Sequence, residues 1–168
     1  RAQDFGRAVP IYLAALADAP KDPTVLFEYG RVLEMQGDFT GALELYERAA
    51  ALDEKDPRPH LKMVAAQLMK DPPKIALARA SLARAQDIEL ASGHRKGEVR
   101  YWEARVALAA GEPAEAVKAM RLAVEREPRN ARYHLLLGKA LERNNSLYEA
   151  ISAYERAVHL NSRLAEAY

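Results

Sequence analysis

A pattern of small and aromatic residues recurs along this chain at a fixed interval. Ala8, Tyr12 and Ala15 return as Ala42, Tyr46 and Ala49, then as Ala116, Met120 and Ala123, then as Ala150, Tyr154 and Ala157. The step from 8 to 42 is 34 residues, as is the step from 116 to 150; the 74 residues between 42 and 116 hold one such period and one stretched to 40. Self-similarity at 20–50 residues is the mark of a solenoid, in which each unit buries its apolar face only by stacking on the next. Ala and Leu supply most of the 49% apolar content, against three Phe and one Trp. That is a helix-forming set of residues suited to close helix packing.

The clearest unit spans 23–56. Leu26, Tyr29, Gly30 and Leu33 fall on one helical face at i, i+3, i+4, i+7 spacing. Asp22-Pro23 opens that helix with an N-cap and a first-turn proline, and Gly37 closes it. The second helix of the unit, from Phe39 to Leu52, carries Ala42, Tyr46 and Ala49 inward. Small Gly30 and Ala42 let the two backbones approach, with Tyr46 filling the space beside them.

These slots resemble the tetratricopeptide repeat, whose signature runs Trp-x2-Leu-Gly-x2-Tyr, then Ala-x3-Phe, then Ala and Pro. Leu26, Tyr29, Gly30, Leu33, Ala42, Tyr46 and Ala49 match it, Glu54 standing where the signature has Pro. His134, Leu137, Gly138, Leu141, Ala150, Tyr154 and Ala157 match it again near the other end. The resemblance implies an all-α fold, a right-handed α-solenoid of stacked antiparallel helix pairs. The expected organisation is a partial repeat over 1–22 (second helix only) and full repeats over 23–56, 97–130 and 131–164. An extended, degenerate repeat fills 57–96, and a further helix starts at 165–168. In the degenerate repeat Leu61, Val64, Ala65 and Leu68 line the first helix and Ala78, Leu82 and Ala85 the second, with Asp71-Pro72-Pro73 as the break. Its extra length is expected in the tail from Ser92 to Gly97, read as a longer inter-helix loop, with an extended second helix before it as an alternative. The partial units at both ends, and Arg1 in place of an initiator Met, suggest a segment of a longer array. Uncapped ends would also give a route to a homo-oligomer.

Sequence motifs for chemistry are missing. His60 and His134 fall at or beside the slot of the signature Trp, His94 in the long loop, and His159 late in a second helix. No two share i, i+4 spacing, so no metal site is expected. The chain has no phosphate-binding glycine loop and no nucleophile elbow. Glu44 and Glu47 lie off the inner stripe and read as solvated charges. No catalytic residue and no cofactor are expected. The 25 basic and 24 acidic residues balance to +1, which gives no reason to expect a nucleic-acid partner. No apolar run reaches the roughly 20 residues of a membrane helix, so no membrane insertion is expected. With no cysteine, both cytoplasm and periplasm are compatible.

What remains is surface. In the family, four positions of each first helix line a concave groove that holds a partner. Carried onto this chain, they include Phe27, Arg31 and Glu34; Lys62 and Met69; Tyr101, Arg105 and Leu108; and Arg132, Leu135, Lys139 and Glu142. One column is mostly bulky (Phe27, Lys62, Tyr101, Leu135), another mostly cationic (Arg31, Arg105, Lys139). The resemblance therefore implies a non-catalytic scaffold for a protein or peptide partner bearing acidic and apolar groups, Phe27, Tyr101 and Leu135 being expected as open anchors. Relatives in bacterial pilus, secretion and exopolysaccharide assembly suggest a setting. Two other readings stand beside it: a docking arm of an enzyme whose catalytic domain lies outside this segment, and a self-associating spacer. The Lys and Asn with which chaperone co-factors of the family grip a carboxyl terminus are replaced here by Phe27 and Arg31.

Overall fold

A computed structural model describes residues 5–93 and 97–161. The chain divides into two compact units, Arg1–Gly93 and His94–Tyr168. The first holds α1 (Phe5–Asp18), α2 (Pro23–Gln36), α3 (Phe39–Leu52), α4 (Arg58–Leu68) and α5 (Ile75–Ser92). The second holds α6 (Gly97–Ala109), α7 (Pro113–Arg126), α8 (Ala131–Arg143) and α9 (Leu147–Leu160). Among the described residues every regular element is an α-helix, and within each unit successive helices are packing neighbours. His94 and the expected helix start at 165–168 lie outside the described residues.

The helix ends follow from local chemistry. Asp22 caps α2, its Oδ1 accepting from the backbone N–H of Thr24 at 2.8 Å and of Val25 at 3.2 Å, with Pro23 in the first turn. At the other end Gly37 turns left-handed at φ 85°, and the N–H of Asp38 reaches back to the Leu33 carbonyl at 2.9 Å. The same closure recurs in the second unit. Gly111 (φ 77°) lets Glu112 N–H bond Ala107 O at 2.9 Å, and Asn145 (φ 63°) lets Ser146 N–H bond Leu141 O at 2.9 Å. Gly and Asn are the residues that tolerate this conformation. Asp22→Ala removes the acceptor for two otherwise unpaired donors and is expected to cost about 1 kcal/mol of stability. Ser146→Ala, at a cap whose hydroxyl bonds no backbone N–H of its helix and only accepts from Asn144 Nδ2 at 3.4 Å, serves as the control in urea unfolding followed by circular dichroism.

Packing repeats too. Tyr46 is fully buried against Gly30, where a Cβ would lie 2.7 Å from the ring. Its hydroxyl donates to Glu34 Oε2 at 2.7 Å, and burial, then this carboxylate, pushes the phenol's pKa up. Tyr154 faces Gly138 in the same way and donates to Glu142 Oε2 at 2.7 Å. Around the first contact Leu26, Ala42, Leu45 and Ala49 form the core of α2 and α3. In the second unit Ala104, Ala116, Met120, Ala123, Ala140 and Ala150 are buried together. Between α4 and α5, Leu61, Val64 and Ala65 are buried, as are Ala78, Leu82 and Ala85. Leu68 is only partly buried, whereas Gln67 is buried and accepts from the Ser81 hydroxyl at 3.1 Å. A polar pair thus occupies a place where the periodicity alone predicts an apolar contact. Lengthened α5, 18 residues against 14 for α3, carries part of the extra length of this repeat.

Candidate protein-binding surface

The twelve candidate residues lie on or at the end of α2, α4, α6 and α8. In the first unit most of them are engaged inside the unit. Phe27 is buried at 6% exposure, its ring 5.7 Å from that of Tyr46 with the Arg58 guanidinium 5.1 Å above it. The expectation of an open anchor there is corrected. Phe27 sits on the buried side of α2, and Arg58, held by Asp56, covers it. A hydrogen bond to that same carboxylate raises the Arg58 pKa. Glu34 takes Lys62 Nζ at 3.0 Å as well as the Tyr46 hydroxyl, tying α2 to α4. Arg31 is exposed and paired with Glu28 at 2.8 Å. Met69, just past α4, is 59% exposed.

The second unit is arranged differently. Tyr101 of α6 stacks on Tyr133 of α8 (centroids 5.7 Å apart, planes at 28°) and meets Trp102 edge-on at 5.5 Å. Two arginines converge on this aromatic shelf. Arg132 lies 5.2 Å over the Tyr101 ring and donates from Nη2 to its hydroxyl at 3.2 Å. Arg105 lies 4.7 Å over Trp102 and 6.0 Å from Tyr101. Guanidinium planes stack on aromatic faces while leaving N–H donors free to turn outward.

The shelf is braced from below. At Gly97 a Cβ would fall 2.5 Å from the Tyr133 ring, so only glycine admits this contact. Glu127 then collects the neighbouring donors: Gly97 N–H at 3.1 Å and Asn130 Nδ2 at 3.1 Å, with the Tyr133 hydroxyl at 3.5 Å. Burial first, and Glu127 second, raises the Tyr133 phenol's pKa. A carboxylate at the N-terminus of α6 also suits the positive end of that helix.

Leu135 of α8 and Leu108 of α6 are half-buried, Leu108 packing on the unit's core and its carbonyl accepting from Arg143 Nη1 at 3.3 Å. Lys139 and Glu142 are exposed, Glu142 holding the Tyr154 hydroxyl. Sequence reasoning missed Tyr133, Glu127 and Arg58, which lie outside the four surface slots of the repeat and act by bracing or covering those that lie within them.

Among the described residues, no group of three or more His, Cys, Asp or Glu gathers as metal ligands, and no helix is long and apolar enough to cross a membrane. His134 is buried with Nε2 2.9 Å from the Pro128 carbonyl, a packing role at the slot of the signature aromatic.

A family profile for the tetratricopeptide repeat matches residues 1–57 and 101–165. No curated protein sequence matches the chain. Among solved structures, MamA is similar at TM-score 0.74 and 21% identity over 97% of this chain and 92% of that one. TTC0263 of Thermus thermophilus, a thermophilic TPR protein, gives 0.80 and 19% over 97% and 90%. YrrB, a TPR protein with an unusual peptide-binding site, gives 0.68 and 18% over 93% and 77%. At these identities the likeness is one of fold.

Proposed function

The chain belongs to the tetratricopeptide repeat family, and from that premise we propose that it is a binding scaffold whose α6 and α8 surface takes a partner peptide rich in acidic and apolar groups. The observation that carries this reading is the pair Arg105 and Arg132 laid over the Tyr101 and Trp102 rings. Aromatic and Arg side chains fixed side by side are the usual content of interface hot spots. Because the rings hold the guanidinium groups in place, less side-chain freedom is lost when a carboxylate arrives. Leu135 and Leu108 give flanking apolar contact, and Lys139 extends the basic character. In the first unit Arg31 and Met69 are the exposed members of the corresponding surface. The presence of a peptide-binding site in YrrB, a protein of the same fold, supports the reading. Complex assembly at a bacterial envelope is the setting that the family resemblance suggests.

Selection from a display library of randomised dodecapeptides tests the proposal. The expected winners carry Asp or Glu beside an apolar residue. Winners without acidic residues on this surface would refute it. A second reading, self-association, is favoured by the exposed apolar residues Leu147, Tyr148 and Ile151 on α9. Light scattering showing a monomer at all concentrations would exclude it.

A further inference from the structure

The first unit carries a pocket of about 450 Å³, open to solvent, between α3, α4 and α5; Glu47, Glu54, Arg84 and Asp87 on its wall are exposed, and its lining differs from the candidate surface of α2 and α4. His60 and Met63 of α4 contribute to its lining, with Ala50 and Ala51 from α3 and Ile88 from α5. Pockets of roughly 300–1,000 Å³ are the size in which proteins hold small ligands or the side chains of a partner. Alanines at 50 and 51 contribute to the opening, since larger residues on that turn of α3 would project into it.

Its charges are unbalanced. Glu47 and Glu54 line it from α3 and the turn after it, and Asp87 from α5; besides His60, Arg84 is the basic side chain that lines it. Glu54 occupies the slot that holds Pro20 and Pro128 in other units of this chain, so the repeat pattern departs from itself at this pocket. No described residue makes a hydrogen bond or ion pair to the carboxylates of Glu47, Glu54 or Asp87. His60 adds no compensating charge: burial first, then Arg84, pushes its pKa down, and its Nδ1 is buried without a partner.

We infer that this pocket is a second docking site, one that takes a basic segment of a protein partner. An Arg or Lys enters between Glu47, Glu54 and Asp87, and its apolar neighbour lies against Met63 and Ile88. Arginine fits best, because its planar fork can bond two carboxylates at once while its stem lies on alanine. An acidic segment would meet three carboxylates for one guanidinium. The preference is therefore opposite in sign to that of the Arg105 and Arg132 surface, and the two sites would read different segments.

Peptides from a randomised display library, selected on the intact chain and then synthesised, provide the test. The expected result is a class of winners with Arg or Lys next to an apolar residue. Their affinity should fall by about tenfold or more in Glu47→Lys/Asp87→Lys. Ala51→Trp, which fills the pocket without changing charge, should weaken them similarly, with helical circular dichroism unchanged in both variants. The inference is overturned if no basic class is enriched, or if the basic peptides bind both variants as well as they bind the wild type. It is equally overturned if spermidine at equal concentration displaces them as well as an unlabelled copy does, since the site would then be one for bare polycations.

Discussion

Gly30→Leu should destabilise the first unit by about 1–3 kcal/mol or more, through overpacking. A Cβ at position 30 would stand 2.7 Å from Tyr46 Cε1 and 2.9 Å from Cδ1, well inside contact distance. The ring cannot step aside, because it is fully buried and its hydroxyl is fixed by Glu34. Gly138→Leu presents a nominally worse clash, 2.5 Å to two atoms of Tyr154. Tyr154 makes the matching bond to Glu142 but is only partly buried, so less packing surrounds its ring. Burial decides the order, and the Gly30 variant should lose more. Pairing each glycine change with truncation of its tyrosine separates crowding from other causes. Gly30→Ala in a Tyr46→Leu background should cost less than in the wild type, a coupling that urea titrations of the four proteins would measure. Additive costs would mean that the ring and the glycine do not oppose each other.

Arg105→Glu/Arg132→Glu should abolish most binding of an acidic peptide partner. A central hot-spot residue contributes about 2 kcal/mol or more, and reversing its charge adds repulsion to the loss. Two such changes at one site predict a fall in affinity of at least roughly a hundredfold. Both side chains lie on the surface of the aromatic shelf and neither holds up the core, so helix content should be unchanged. Arg31→Glu is the informative comparison. Arg31 is exposed and already paired with Glu28 within its own helix, so its reversal should weaken binding much less. Equal effects from Arg31 and from the Arg105 and Arg132 pair would argue for general charge attraction and against a built site.

Much of this was legible from residue spacing because a solenoid repeats its solutions. Gly30 beneath Tyr46 and Gly138 beneath Tyr154 are one contact used twice, and each is announced by small and aromatic residues at fixed offsets. The left-handed closures at Gly37, Gly111 and Asn145 fall at equivalent places, although Asn145 hides the pattern from a search for glycine alone. What spacing could not supply was the orientation of individual side chains. Phe27 occupies a surface slot of the repeat yet is buried, because Tyr46 from α3 and Arg58 from α4 close over it. Those partners lie 19 and 31 residues away, outside any helical period. Glu34 occupies a groove slot of the repeat and is an internal junction, since Tyr46 and Lys62 reach it from two other helices. The Gln67 and Ser81 pair was invisible for a related reason: each alone reads as surface, and only their meeting makes them core.

Backbone amide shifts in the ¹⁵N–¹H spectrum, followed as a selected acidic peptide is titrated in, test the central claim most directly. The account predicts the largest changes at Tyr101, Arg105, Arg132 and Leu135, with little movement along the outer sides of α7 and α9. Changes centred on α7 or α9, with Tyr101 and Arg132 unmoved at saturation, would contradict it.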